Sequence, residues 1–174
     1  MFAISRDASF KLCIFGDGGV GKTSLTRRYL YKIFEEDIQM TIGADFAVKY
    51  LEIEGKSIAL RIWDFAGEER FKILLPGYVS GASGGIFMFD ITRYASLVNL
   101  NDWISMFKST IPILMVGSKV DLKEQRSIKK EDAERIAKDR NLFAYMECSA
   151  KTGENIEEVF RCITREMMIR AGLL

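Results

Sequence analysis

Eight consecutive positions carry the densest chemistry in this chain. Gly16-Asp17-Gly18-Gly19-Val20-Gly21-Lys22-Thr23 sets four glycines beside one ammonium and one hydroxyl, and it fits the pattern G-x-x-x-x-G-K-[ST]. Glycines reach backbone dihedrals that aim successive N–H groups inward, and without a Cβ they leave room for phosphate oxygens. A helix that starts directly after such a loop adds unpaired N–H groups and a partial positive charge. Lys22 then reaches β- and γ-phosphates as a point charge, and the Thr23 hydroxyl takes one position on a Mg²⁺ ion. The plainer reading is a glycine-rich turn with an exposed lysine. Eight constrained positions between a strand and a helix outweigh it.

More polar residues stand where apolar runs stop. Trp63-Asp64-Phe65-Ala66-Gly67 closes one such run. Asp64 suits Mg²⁺, reached through water because Mg²⁺ sheds its waters reluctantly. Gly67 has no side chain, so its N–H can approach a γ-phosphate oxygen. Alone, Asp-x-x-Gly is a turn cap followed by a bend; behind a phosphate loop it gains meaning. Thr41 ends a connection, residues 32–40, that holds Glu35, Glu36 and Asp37 and carries no strong element signal. Such a loop brings Thr41 to the ion only when a third phosphate is present. By itself it is a turn threonine.

Ser118-Lys119-Val120-Asp121 and Cys148-Ser149-Ala150-Lys151 follow two further runs. A carboxylate at Asp121 accepts from the N1–H and 2-amino group of guanine. Adenine offers an acceptor at N1 and no 2-amino group, so Asp121 rejects it by leaving buried polar groups unpaired. Lys119 lays its alkyl stem over the base, and the Ala150 N–H binds the guanine 6-oxo group. The bland alternatives are an exposed turn at 118–121 and an exposed loop cation at Lys151.

The composition narrows the field. A length of 174 residues makes one domain, 1–174, with a full core. Lys and Arg number 25 against 24 Asp and Glu, a net charge of +1, which argues against a nucleic-acid face and against a polybasic membrane surface. Histidine is absent. That removes His-dependent triads, His-ligated metals and imidazole acid–base chemistry. Cys13, Cys148 and Cys162 are odd in number, far apart and without CxxC spacing. They suit a reducing, cytoplasmic compartment rather than a disulfide framework or a zinc site. The start, Met1 to Asp7, meets charge too early for a signal peptide, and Phe2 excludes N-myristoylation. No apolar run approaches the ~20 residues that span a bilayer.

The elements that must position these groups follow from periodicity. Near-continuous apolar runs at 10–15, 85–89, 112–116 and 142–146 read as strands covered on both faces. Asp45 to Ile53 and Ser57 to Trp63 form a hairpin about Glu54-Gly55-Lys56. Helical spacing marks 24–31, 96–107, 130–139 and 156–168, the last with a capping box of Asn155 and Glu158. Alternating strands and helices predict an α/β fold with parallel central strands and one hairpin, whose ligand lies beyond the carboxyl ends of the strands.

Taken together, residues 16–23, Thr41, 64–67, 118–121 and 149–151 resemble the motifs of the Ras superfamily of small GTPases, over nearly the whole chain and most like its Rab branch. Thr41-Ile42-Gly43-Ala44-Asp45-Phe46 and the stretch Trp63 to Phe71 are similar to that branch's switch regions. Phe46, Trp63 and Tyr78 stand where the branch carries an aromatic triad that senses partners, and Phe34 where the family sets a ring edge-on to guanine. The resemblance implies a single G domain of the P-loop NTPase fold, with a six-stranded mostly parallel sheet, one antiparallel strand, and five helices on both faces. It implies a GDP/GTP switch with Mg²⁺ on Thr23, Thr41 and Asp64. The nucleotide is then bound by residues 18–24 (Gly18, Gly19, Val20, Gly21, Lys22, Thr23 and Ser24), Phe34, Thr41, Gly67, Ser118, Lys119, Asp121, Ser149, Ala150 and Lys151. Effectors, exchange factors and activating proteins meet residues 33–46 and 63–78 of a monomer. Membrane association requires a C-terminal lipidated tail, and none of these 174 residues is an anchor.

The chain also departs from that pattern. Glu68 stands at the water-orienting glutamine; an ionised Glu accepts but cannot donate, yet it is a stronger base. Ser118 replaces the usual Asn and is expected to lose a tether between base and phosphate loop, affecting affinity more than specificity. Phe65 replaces a common Thr, and the stretch from Trp103 to Gly117 is short. With Lys22, Gly67 and Glu68 as the catalytic set, and with no arginine in the first switch, unassisted hydrolysis is expected to be slow; an arginine from a partner adds ~10³–10⁵-fold. The competing reading is a nucleotide-binding interaction module with little or no hydrolysis. A P-loop kinase or ATPase is the third, and Asp121 opposes it.

Overall fold

In a computed structural model, which describes residues 6–174, the strands are β1 (Ala8–Phe15), β2 (Ala44–Ile53), β3 (Lys56–Phe65), β4 (Gly84–Asp90), β5 (Ile113–Ser118) and β6 (Ala144–Glu147). The helices are α1 (Lys22–Tyr31), α2 (Leu75–Val79), α3 (Ala95–Val98), α4 (Leu100–Ile104), α5 (Lys130–Asp139) and α6 (Ile156–Arg170). Tight three-residue-per-turn helices run over Glu69–Leu74 and Val120–Gln125. The first five residues, on which the reading against a signal peptide rests, lie outside the described residues.

Side chains alternate across a strand, and here the alternation builds two cores. Leu12 and Ile14, Ile86 and Met88, and Leu114 and Val116 face α1 and α6, where Leu25, Phe160 and Ile163 meet them. The Tyr29 and Phe160 rings stack at 3.8 Å. Cys13 and Phe15, Phe87 and Phe89, and Met115 face the other way, against Leu97, Leu100, Trp103, Ala133 and Ala137. One sheet of order β2-β3-β1-β4-β5-β6 results. All its pairs are parallel except β2 with β3. The expected six-stranded, mostly parallel sheet with helices on both faces is what forms. The hairpin turns on Glu54 and Gly55, with φ of 50° and 75°, the paired left-handed residues of a two-residue turn that follows the strands' twist. Among the described residues no helix is long and apolar enough to cross a membrane.

Two local expectations fail. The helix expected over 96–107 breaks at Asn99, whose ψ is 12°, and ends at Ile104. Asn99, Asn101 and Asp102 compete with the backbone for hydrogen bonds and form helix weakly. Asn99 Nδ2 and Trp103 Nε1 both donate to Asp17, at 3.2 and 2.9 Å, so the broken segment is anchored on the glycine-rich loop. The capping box does not form either. Asn155 is left-handed, with φ of 59° and no side-chain cap; its Nδ2 donates instead to the Glu147 carbonyl at 2.9 Å.

The 120–125 turn, which carries Asp121, is fastened to β6 by a fork. Arg126 Nη1 and Nη2 each donate to a Glu147 carboxylate oxygen at 2.8 Å, and Tyr145 donates to the same carboxylate at 2.7 Å. Burial raises the Glu147 pKa, but the Arg126 and Tyr145 hydrogen bonds outweigh it and leave a net lowering below 4.5. A carboxylate depressed on folding stabilises the fold above its unfolded pKa and loses that contribution as pH falls through the folded one. Arg126→Met is therefore expected to cost about 1–3 kcal/mol at pH 7. The gap from wild type should narrow as pH drops below 4.5, read by urea unfolding at both pH values.

Candidate functional site

The carboxyl ends of β1, β3, β5 and β6 meet at one rim, as an open α/β sheet requires. The loops there enclose a cavity of about 390 Å³, within the range of a small-molecule site. Residues 18–24 form its floor on one side; Phe34, Thr41, Gly67 and Glu68 close it at the front; Ser118, Lys119, Asp121, Ala150 and Lys151 form the far end. Ser149 and Asp64 stand just behind the wall, each bonded to a residue that lines it. The residues named from the sequence for nucleotide and metal thus fall around one space.

The phosphate loop opens on a glycine that no other residue replaces. Gly16 has φ of 139°, and a Cβ there would lie 2.2 Å from the Met88 carbonyl oxygen. Gly67 is equally constrained by approach: a Cβ on it would lie 2.3 Å from Gly18 N and 2.6 Å from Lys22 Nζ. Lys22 is buried, and its Nζ donates to the Gly16 and Asp17 carbonyls at 2.9 and 2.8 Å. Burial pushes its pKa down to about 8, offset by the nearby carboxylates of Asp64 and Asp17.

Thr23, Thr41 and Asp64 converge from three separate elements. Thr23 Oγ1 donates to Asp64 Oδ2 at 2.5 Å and lies 2.8 Å from Thr41 Oγ1; with the Thr23 proton committed to the carboxylate, Thr41 is the donor between the hydroxyls. Asp64 Oδ1 is buried with no hydrogen-bond partner. Burial raises the Asp64 pKa to about 6, against the Thr23 hydrogen bond and the Lys22 charge. Two hydroxyls and one carboxylate, one of whose oxygens is orphaned, are hard oxygen donors that fit Mg²⁺ held partly by phosphate. Among the described residues there is no group of three or more His, Cys, Asp and Glu arranged for a metal, and a phosphate-anchored ion does not need one.

At the far end, Ser149 Oγ donates to Asp121 Oδ1 at 2.6 Å, which fixes the carboxylate through one oxygen. Lys119, with φ of 63°, reaches back along the cavity wall. Its Nζ pairs with Asp90 Oδ2 at 2.7 Å and donates to the Gly19 carbonyl at 3.0 Å. The expected loss of a tether at Ser118 does not occur on the phosphate-loop side. Ser118 Oγ lies 2.6 Å from the Val20 carbonyl and 2.9 Å from that of Phe89, because the strand end already stands against the loop and a short side chain reaches it. Cys148 lines the cavity, and burial pushes its thiol up to about 12, which disfavours the nucleophilic thiolate.

The acidic loop closes over this space. Lys151 Nζ pairs with Glu36 at 3.1 Å and Arg27 pairs with Glu35; these exposed pairs position the loop with little net energy. Glu68 sits at the front, with Oε2 2.6 Å from Arg70 Nε and Oε1 buried without a partner. Phe46, Trp63 and Tyr78 contact one another in a row, at centroid distances of 5.1 and 5.7 Å. Asp90, Asn99 and Arg93, whose guanidinium bonds the Gly18 carbonyl, were not read from the sequence as site residues. For Asp90 the signal was its place at the end of an apolar run; for the others there was none.

A glycine-rich loop between strand and helix, a buried lysine inside it and a cavity at the sheet's rim define a phosphate-loop nucleotide-binding domain. A model of the Ras family matches residues 11–169. Rab-13 of Rattus norvegicus is 38% identical over 174 residues, covering 98% of this chain and 85% of that protein. Rab-19 of Bos taurus is 37% identical over 171 residues, covering 96% and 79%, and Rab-8B of Bos taurus 38% over 172, covering 97% and 83%. The chain belongs to the Ras family and is Rab-like: a small GTP-binding switch protein with GTPase activity.

Gly67→Ala tests the front wall. Its methyl group has no room against Gly18 and Lys22. The variant should keep GDP affinity within about threefold while losing about tenfold or more in affinity for a non-hydrolysable GTP analogue. Competition against a fluorescent GDP reads both values, and an unchanged ratio contradicts the role given to Gly67.

Proposed function

We propose that residues 1–174 act as one G domain that binds GDP or GTP in the cavity described, with the phosphates on residues 18–24, the base on Asp121, and Mg²⁺ on Thr23, Thr41 and Asp64. The observation that carries this reading is the meeting of those three oxygen donors at the cavity's edge, with one carboxylate oxygen left unpartnered. Mg²⁺ bound there supplies positive charge to the phosphate oxygens. Thr41 comes from the acidic loop and Gly67 from the segment after β3, so a third phosphate gives both segments a common anchor and GDP gives them none. That difference is the switch.

The chain's own residues account for binding and for part of the hydrolysis. Lys22 neutralises phosphate charge inside a buried loop, where the interaction is stronger than in water. Asp121, held by Ser149, accepts from guanine and leaves adenine unsatisfied. Phe34 covers the base edge, Lys119 spans base and phosphate loop, and Ala150 and Lys151 complete the base pocket. Glu68 orients the attacking water through Oε1, with Oε2 held by Arg70. Its carboxylate accepts a water proton's hydrogen bond and donates none. Residues 33–46 and 63–78 meet effectors, exchange factors and activating proteins, with Phe46, Trp63 and Tyr78 as the surface that reports the bound state. The domain works as a monomer in the cytoplasm and gains a membrane only through a lipidated tail.

A series at Glu68 separates a GTPase from a binding module. In single-turnover hydrolysis of preloaded GTP, Glu68→Ala is expected to slow phosphate release by about 10–10²-fold, with Glu68→Gln differing from both. Equal rates for wild type, Gln and Ala remove Glu68 from the mechanism. No phosphate release from any of them over hours favours the binding-module reading.

A further inference from the structure

Arg93 lies on the loop between β4 and α3, 75 positions from Gly18. Its Nη2 donates to the Gly18 carbonyl at 2.6 Å, and a Cβ placed on Gly19 would stand 3.8 Å from its Nη1. The backbone that carries it is pinned. Asp90 Oδ1 accepts from the Thr92 N–H and hydroxyl at 2.9 and 2.7 Å, and Ser96 Oγ donates to the Arg93 carbonyl at 2.7 Å. Beside it is a second cleft of about 270 Å³, lined by Asp17, Gly18, Gly67, Glu69 and Arg93. This cleft abuts the cavity at Gly18 and Gly67, the end opposite Asp121.

Three facts make this guanidinium unusual. It carries five N–H donors in a rigid fork, and the Gly18 bond uses one. Among the described residues it forms no ion pair, although Glu69 lines the same cleft and pairs instead with Lys72 at 2.7 Å. Its charge is felt inside the loop: beyond the dominant effect of burial, Arg93 helps to lower the Lys22 pKa. The arginines of α1 are engaged elsewhere, Arg27 with Glu35 and Arg28 with the Lys32 carbonyl.

We propose that Arg93 is a catalytic arginine carried in cis, placing its free guanidinium donors on the phosphate oxygens that gain charge during GTP hydrolysis. The proposal rests on the assignment of residues 18–24 to GTP. In the step concerned, the water oxygen bonds to the γ-phosphorus and the bond from that phosphorus to the β–γ bridging oxygen breaks. The electron pair stays on GDP, and the water's oxygen and both its protons end on the released inorganic phosphate. Charge grows on the bridging oxygen as that bond lengthens, and a fixed cation there is worth more in the transition state than in the ground state. Partner-supplied arginines do this work in trans; here the chain holds one at the rim of its own phosphate loop.

The test uses wild type, Arg93→Ala and Arg93→Lys, each checked for an unchanged melting temperature. Single-turnover hydrolysis without any partner is expected to fall roughly 10³-fold in Arg93→Ala. Arg93→Lys should recover only part of that, since an ammonium lacks the fork. GDP and GTP affinities should stay within about threefold of wild type. GDP-loaded wild type should also trap aluminium fluoride, a mimic of the transferring phosphoryl group, without a partner, and Arg93→Ala should not. The proposal is overturned if Arg93→Ala hydrolyses within about threefold of wild type, or if its loss in rate is matched by an equal loss in GTP affinity. Failure of the wild type to bind GTP overturns the parent assignment as well, and the binding arm alone reveals it.

Discussion

Two buried charges of opposite sign govern this molecule. Lys22 and Asp64 are both nearly inaccessible to water, and each has its charged form disfavoured by burial. Isolated charges in such surroundings are costly. The protein offsets part of that cost with carbonyls around Lys22 and a hydroxyl on Asp64, and leaves one Asp64 oxygen unmatched. On the proposed assignment, a polyphosphate is the missing anion for the lysine and its divalent counterion the missing cation for the aspartate. A ligand that suits such a site carries both signs at once.

The sheet exists to hold those charges in register. Burying each central strand on both faces fixes where it ends, and the functional loops begin at those ends. The loops are then cross-tied. Ser118 and Lys119 bond the carbonyls of Val20 and Gly19, Ser149 holds Asp121, and Arg126 locks the Asp121 turn to β6. The proposed base and phosphate sites are thus cross-tied to one another. The front wall is different: Thr41, Gly67 and Glu68 come from segments held by exposed ion pairs and aromatic contacts.

Much of this was legible in the sequence because short-range patterns encode it. Four apolar runs and one hairpin were enough for the sheet, and the glycine spacing at 16–21 was enough for the loop. What escaped was set by contacts distant in sequence. The break at Asn99 is fixed by Asp17, some eighty residues earlier. Asn155 matched a capping pattern, yet its left-handed backbone turned the side chain to Glu147. Ser118 looked too short for its tether, a judgement that side-chain length alone supports and the closeness of Val20 reverses. Arg93 sits in no motif; only the packing of the β4–α3 loop on Gly18 brings it to the site.

The central claim is that a single loop grips the phosphates while one carboxylate selects the purine. The most direct check strips purified protein of nucleotide, restores Mg²⁺, and measures equilibrium affinities for GDP and ADP side by side. A preference for GDP of at least about 10⁴-fold is the predicted result, the size expected when the wrong base leaves buried polar groups unpaired. Equal affinities would contradict it.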